Sequence, residues 1–225
     1  MSQARVRAVE VNSAVPYFAQ WESADLIEDI VCHRLAARDD PLWWRSGART
    51  AAEYEFWSWR SCGIACLQML LAARTDPVPP AFALGMELLA AGAYTLREGG
   101  LDGLNYAPFV AYLRERWGMT AQVRVDLDPD GLYDLVAGGA RVLASVHPSV
   151  RDAPADPPRR GGHLVLVHDV NDADDSLVFH NPSGTTPATQ ASARLSRTEF
   201  ARYFASRGVV VGDLAMPRAE VGGVR

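Results

Sequence analysis

Residues 61–73 read Ser61-Cys62-Gly63-Ile64-Ala65-Cys66-Leu67-Gln68-Met69-Leu70-Leu71-Ala72-Ala73. The stretch is apolar on almost every side and contains no run of β-branched residues. That pattern predicts a helix buried inside a domain, not one lying on its surface. The segment from Asp76 to Pro80 ends it, since Pro77, Pro79 and Pro80 lack the N–H that a continuing helix needs.

Outward from this helix the two halves of the chain differ. On the N-terminal side, Val15 to Gln20 reads as a short extended piece. Leu26, Ile27, Ile30, Val31 and Leu35 repeat at helical spacing within 24–37. A tryptophan-rich stretch with Trp43, Trp44, Trp57 and Trp59 follows. On the C-terminal side, helices are predicted at 81–91 and 106–117. After Gly118 strands are predicted at 122–127, 141–146, 163–170, 176–180 and 209–211. Short helices are expected at 130–137 and 196–206, the latter with Thr198 and Glu199 in its first turn. Asn171 to Asp175 is a turn cluster joining two strands, and 152–162 is a loop rich in proline, arginine and glycine. Helices first and an antiparallel sheet second is the pattern of an α+β fold. With 225 residues, 48% of them hydrophobic, the chain is expected to form a single domain with a sizeable core.

Composition narrows the chemistry. The chain has no lysine; all 22 basic residues are arginine, against 27 acidic ones, for a net charge of -5. A lysine Schiff base and a P-loop lysine are therefore excluded. A mildly acidic chain without basic runs argues against general nucleic-acid binding. The first residues lack the apolar stretch of a secretory signal, and no run approaches the ~18 apolar residues of a membrane span. A cytoplasmic location is expected. There, an odd number of cysteines argues against a disulfide framework.

The hairpin supplies the first chemical pairing. If the chain turns near Asp172 and Ala173, facing positions have numbers summing to about 344 and His163 falls opposite Asn181. An amide oxygen beside one imidazole nitrogen fixes the tautomer and leaves the other nitrogen as a base. Cys62 stands at the start of the buried helix, where unpaired N–H groups and the helix dipole stabilise a thiolate, as would a neighbouring protonated histidine. Cysteine, then histidine, then asparagine is a coherent order for nucleophilic acyl transfer.

These residues carry a resemblance. Val15-Pro16-Tyr17-Phe18-Ala19-Gln20, Ser61-Cys62-Gly63, Gly162-His163-Leu164-Val165 and Asn181-Pro182-Ser183-Gly184, in this order, resemble motifs of the papain-like cysteine peptidases. More specifically, they resemble the group related to the bacteriocin-processing, double-glycine leader peptidases. Ser196 to Phe200 is similar to the start of that family's closing helix. The resemblance spans about 15–211. It implies a papain-like fold: a helical N-terminal part with a buried central helix carrying the cysteine, packed on a C-terminal sheet carrying the histidine and asparagine. It further implies Cys62 as nucleophile, His163 as general base, Asn181 as the residue orienting the histidine, and Gln20 as a donor to the oxyanion. The leader peptidases usually have aspartate at the third position; asparagine keeps the hydrogen bond and removes the charge. The span from about 21 to 61 between the Gln20 and Cys62 motifs is an insertion, and it is expected to set substrate preference.

Three functional readings follow. The first is a cysteine peptidase or amidase working through a thioester acyl-enzyme on a peptide substrate. The second keeps the acyl-enzyme but passes it to an amine or another nucleophile, as an acyltransferase, ligase or cyclase would, from an amide- or thioester-containing small molecule. The third is a binding module on the same scaffold. No metal and no cofactor is expected, because Cys62 and Cys66 with His33 or His180 lack a second ligand pair at zinc spacing. Cys32 and Cys66 read as buried apolar fillers, and His147, His168 and His180 as structural. Gly161-Gly162 is a turn into a strand. The tryptophans fit either a core or a substrate platform.

Overall fold

The computed structural model describes residues 15–74, 77–98, 100–152 and 156–212. The chain's first residues, and the Asp76 at which the helix-stop segment begins, lie outside them, as do residues 153–155 of the 152–162 loop. Helix α1 (Ile27–Val31) is followed by α2 (Ala51–Ser58), α3 (Cys62–Ala72) and α4 (Ala81–Ala90). A small ribbon of β1 (Leu96–Arg97) and β2 (Gly100–Leu101) leads into α5 (Tyr106–Trp117). Then come β3 (Ala121–Arg124), α6 (Pro129–Ala137), β4 (Arg141–Val146), β5 (His163–Asn171) and β6 (Ser176–His180). Last are α7 (Pro187–Gln190), β7 (Ala193–Ser196), α8 (Arg197–Tyr203) and β8 (Phe204–Val211).

Six strands form one antiparallel sheet in the order β3-β8-β4-β5-β6-β7. Strand alternation divides it into two apolar faces. Leu143, Leu164, Leu166, Val209 and Val211 join the core built by α3, α4 and α5. Val142, Ala144, Val146, Val165, Val167 and Val210 join a second core with Leu132 and Val136 of α6 and Phe200 and Tyr203 of α8. The sheet thus lies between two helical layers, with the helical N-terminal part on one of them. Helix α3 is buried nearly all round and packs on β5, as its composition predicts. Gly85 lets α4 come close to Trp57; a Cβ there would lie 3.1 Å from the indole ring.

Segment 21–61 has a small core of its own: Trp21, Ile27, Ile30, Ala37 and Tyr54. Its centre is Asp40, fully buried, which accepts hydrogen bonds from Ser23 N (3.1 Å), Ser23 Oγ (2.6 Å), Tyr54 OH (2.6 Å) and Leu42 N (2.9 Å). Burial pushes its carboxyl up, but these donors outweigh burial and hold it below the ordinary range.

Several expectations need correction. The helix expected over 24–37 is a 3-10 turn at 24–26, the short α1 and a second 3-10 turn at 37–39. His33 adopts φ +57, and both Arg34 N and Leu35 N turn back to Asp29 O, which closes the helix early. Helix α2 falls inside the tryptophan-rich stretch and has no clear apolar period, although Thr50 and Glu53 have the spacing of an N-terminal cap and Glu53 N does donate to Thr50 Oγ1. Helix α8 has the predicted start, with Ser196 and Glu199 forming a capping box, but Phe204 already pairs with Val146 in the sheet. The ribbon β1–β2, helix α7 and edge strand β7 add short elements with little sequence periodicity. Cys66 is buried as expected, whereas Cys32 is exposed. No helix among the described residues is long and apolar enough to cross a membrane.

Candidate active site

The extended segment before Trp21 ties the site together. Gln20 N donates to Pro182 O (2.7 Å), and Ser61 Oγ donates to Gln20 O (3.1 Å). Tyr17 OH donates to Asn181 O (3.2 Å). The backbone of Gln20 therefore joins the residue before the cysteine to the residue after the asparagine. Its side-chain Nε2 donates to Ser58 O (2.7 Å), which leaves the second amide N–H for another acceptor.

Helix α3 begins at Cys62, and β5 begins at His163. Both residues, with Gln20, line one cavity of about 460 Å³. Gly63 allows this approach: a Cβ there would sit 2.9 Å from Leu104 Cδ2 and 3.3 Å from Leu164 Cδ1. His163 Nε2 lies 2.8 Å from Asn181 Oδ1, and both residues are buried. The predicted register is not the reason they meet. β5 and β6 pair Asn171 with Ser176 and Leu166 with His180, and the register shifts between Val167 and Asp169. By that register Asn181 is not opposite His163. It has left the strand, with its N–H on Gln190 O (2.9 Å), and its loop brings the amide back over the ring. Gly184 sustains that loop, since a Cβ there would fall 2.1 Å from Thr189 O.

Ser183 is a third partner that sequence reading passed over. Its Oγ is 3.1 Å from His163 Nε2 and accepts from Arg151 Nη2 (2.9 Å). The motif around Asn181 contains Ser183, but nothing local signals that Arg151 reaches it. Asn181 Nδ2 is buried and has no partner among the described residues, so only its oxygen is engaged.

The electrostatics differ from the expected thiolate–imidazolium arrangement. Burial raises the Cys62 thiol above its ordinary value; the N–H groups of Leu164, Gly63 and Cys62, and the charge of Arg60, offset this only in part. Burial, with Arg151 adding to it, lowers His163 to about 3 against the opposing bond from Asn181. At neutral pH the free site holds a neutral thiol and a neutral imidazole. The helix N-terminus acts in the expected direction but is outweighed by desolvation.

The remaining candidates sort out clearly. His180 holds Val15 O (2.7 Å) and Ser192 N (2.9 Å), and His147 caps a 3-10 turn through Ser149 N. His168 packs on His180 at 4.2 Å between ring centroids. Trp57 is core, Trp44 is exposed, and Trp59 packs edge-on against Trp21 (5.2 Å); both of this pair line the cavity. Gly161 and Gly162, with φ +82 and +103, make the turn into β5.

No family profile matches the chain, and no curated protein matches by sequence. Among solved structures, the chain is similar to the peptidase domain of Streptococcus ComA, a bi-functional ABC transporter involved in quorum sensing. Identity is 16%, the match covers 68% of this chain and 91% of that one, and the TM-score is 0.46. It is also similar to a Bacillus anthracis protein described as a C39-like peptidase, at 16% identity, 68% and 88% coverage, and a TM-score of 0.47.

Proposed function

We propose that this chain is a cysteine-nucleophile acyl hydrolase of the peptidase or amidase type. The observation that carries the reading is His163 Nε2 held at 2.8 Å by the buried Asn181 oxygen, in the same cavity as a cysteine at the start of a buried helix. With Nε2 engaged, Nδ1 is the nitrogen left to exchange protons with the Cys62 thiol.

In acylation, Cys62 Sγ attacks the substrate carbonyl carbon while His163 takes the thiol proton. The carbon–nitrogen bond then breaks and His163 gives that proton to the leaving amine, leaving a thioester on Cys62. In deacylation, water adds to the thioester, His163 takes its proton, the carbon–sulfur bond breaks and the proton returns to sulfur. The free amide N–H of Gln20 and the N–H groups at the start of α3 supply donors to the developing oxyanion. A neutral resting pair suits this scheme, because the charges arise only as the carbonyl is attacked.

The test is to trap the acyl group. The full chain is incubated with a peptide thioester, and intact mass is read with mapping to Cys62. An adduct on Cys62 that is lost in Cys62→Ala and strongly slowed in His163→Gln is expected. Unchanged turnover of the thioester by Cys62→Ala would refute the proposal.

A further inference from the structure

The cavity in front of Cys62 carries a charge that acyl chemistry by itself does not require. Arg60, Arg151 and Arg207 line it, and no carboxylate among the described residues does, although acidic residues outnumber arginines in the chain, 27 to 22. Elsewhere arginines such as Arg34, Arg49 and Arg97 are paired with carboxylates. These three have no salt bridge among the described residues. Two of them are held by neutral groups instead. Arg60 Nε donates to Leu101 O (3.2 Å), and Arg151 donates to Pro148 O (3.0 Å) and Ser183 Oγ (2.9 Å). Arg207 lies over Gly161, where a Cβ would come within 3.1 Å of its Nη2, and its charge acts on the nearby Tyr106 hydroxyl.

Oriented guanidinium groups without an ion-pair partner in a cleft are a means of taking an oxyanion, since their planar forks match carboxylate and phosphate oxygens; the charge of Asp152 favours the charged form of Arg151 but forms no salt bridge to it. A cleft lined by one sign of charge also concentrates the opposite ion. One of these charges opposes the chemistry when the cavity is empty: Arg151 disfavours the imidazolium that His163 must become, whereas Arg60 favours the Cys62 thiolate. A bound anion would cancel that opposition.

We propose that the cavity takes an acyl substrate bearing an oxyanion, a carboxylate or a phosphate, which Arg60, Arg151 and Arg207 hold while its carbonyl lies at Cys62. This rests on the acyl-enzyme reading above and adds the substrate class. Binding is then coupled to activation: the substrate's own charge makes His163 easier to protonate.

The test has two arms on the full chain at neutral pH. In the first, iodoacetamide alkylates Cys62, and peptide mass mapping separates this site from Cys32 and Cys66. Glutarate or inorganic phosphate at millimolar concentration should slow alkylation at least about fivefold, and neutral glutaramide should not. The better protector identifies the carboxylate or the phosphate. Protection should be lost in Arg151→Gln and in Arg207→Gln; Arg207 is exposed, so its variant is expected to fold. In the second arm, a glutaryl thioester is compared with its methyl ester for the rate of Cys62 acylation. The charged acyl group should be favoured about tenfold or more, with the ratio falling toward one in either variant and at high salt. Equal protection by glutaramide, or a ratio near one in the wild type, would overturn the proposal while leaving the acyl-enzyme reading intact. Protection by the anions with no acylation by either thioester would overturn the acyl substrate, and would count against the acyl-enzyme reading itself.

Discussion

Asn181→Asp should raise the pKa of His163 substantially while leaving the site's shape unchanged. The two side chains have the same size, and the amide nitrogen that is exchanged for oxygen makes no hydrogen bond among the described residues. The oxygen already facing the ring at 2.8 Å then becomes part of a carboxylate. A buried opposite charge at contact distance shifts a pKa by ~1–3 units, equivalent to ~1.4–4 kcal/mol. From about 3 in the wild type, the imidazole in the variant is expected to titrate at ~4–6. Arg151, reaching the same group through Ser183, offsets part of the cost of burying the new charge. The assay is the histidine C2–H NMR titration between pH 3 and 8, with His163 assigned from His163→Gln. Stability follows by linkage. In the wild type the folded pKa lies below the unfolded value of ~6.5, so the stability tied to a neutral His163 is fully present above pH ~6.5. It is lost as pH falls towards 3, by ~1.4 kcal/mol per unit. In the variant that loss should stop at the raised pKa. A variant imidazole titrating at or below its wild-type value would refute this account of the site, as would a wild-type imidazole titrating near 6.5.

Three other perturbations probe the support around the site. Gly63→Ala places a methyl 2.9 Å from Leu104 and 3.3 Å from Leu164 and Tyr94 OH; overpacking of this kind should cost ~1–3 kcal/mol, read as a lower midpoint in urea. Asp40→Ala strands the hydroxyls of Ser23 and Tyr54 and two backbone N–H groups. A loss on the order of 3 kcal/mol is expected, with faster proteolysis within 21–61; an unchanged melting temperature would show that this hub is not needed. Gln20→Ala should slow Cys62 acylation by ~10²–10³ if its free N–H meets the oxyanion, with little change in substrate binding. A normal acylation rate would remove Gln20 from the oxyanion site.

The amino-acid order by itself determined most of the frame. Residues 61–73 could only be a buried helix, because no face of the stretch is polar enough to meet water. Residues 141–146 and 176–180 fall as strands where their apolar runs and flanking turns require. The order of Cys62, His163 and Asn181, with Gln20 ahead of them, was also readable, since each stands in a recognisable short motif. Only the tertiary structure decided how these residues meet. Asn181 reaches His163 through a loop after the strand, and a loop's path is set by distant contacts such as Gln190 O and Tyr17 rather than by periodicity. The ionisation of the site was equally out of reach. Helix-end charge is a local property and predicted a thiolate, but burial is collective, and it raises Cys62 and lowers His163. The convergence of Arg60, Arg151 and Arg207 on one cavity has the same origin: three residues far apart in the chain become one positive surface only when the segment before α3, the 3-10 turn at 148–151 and β8 come together.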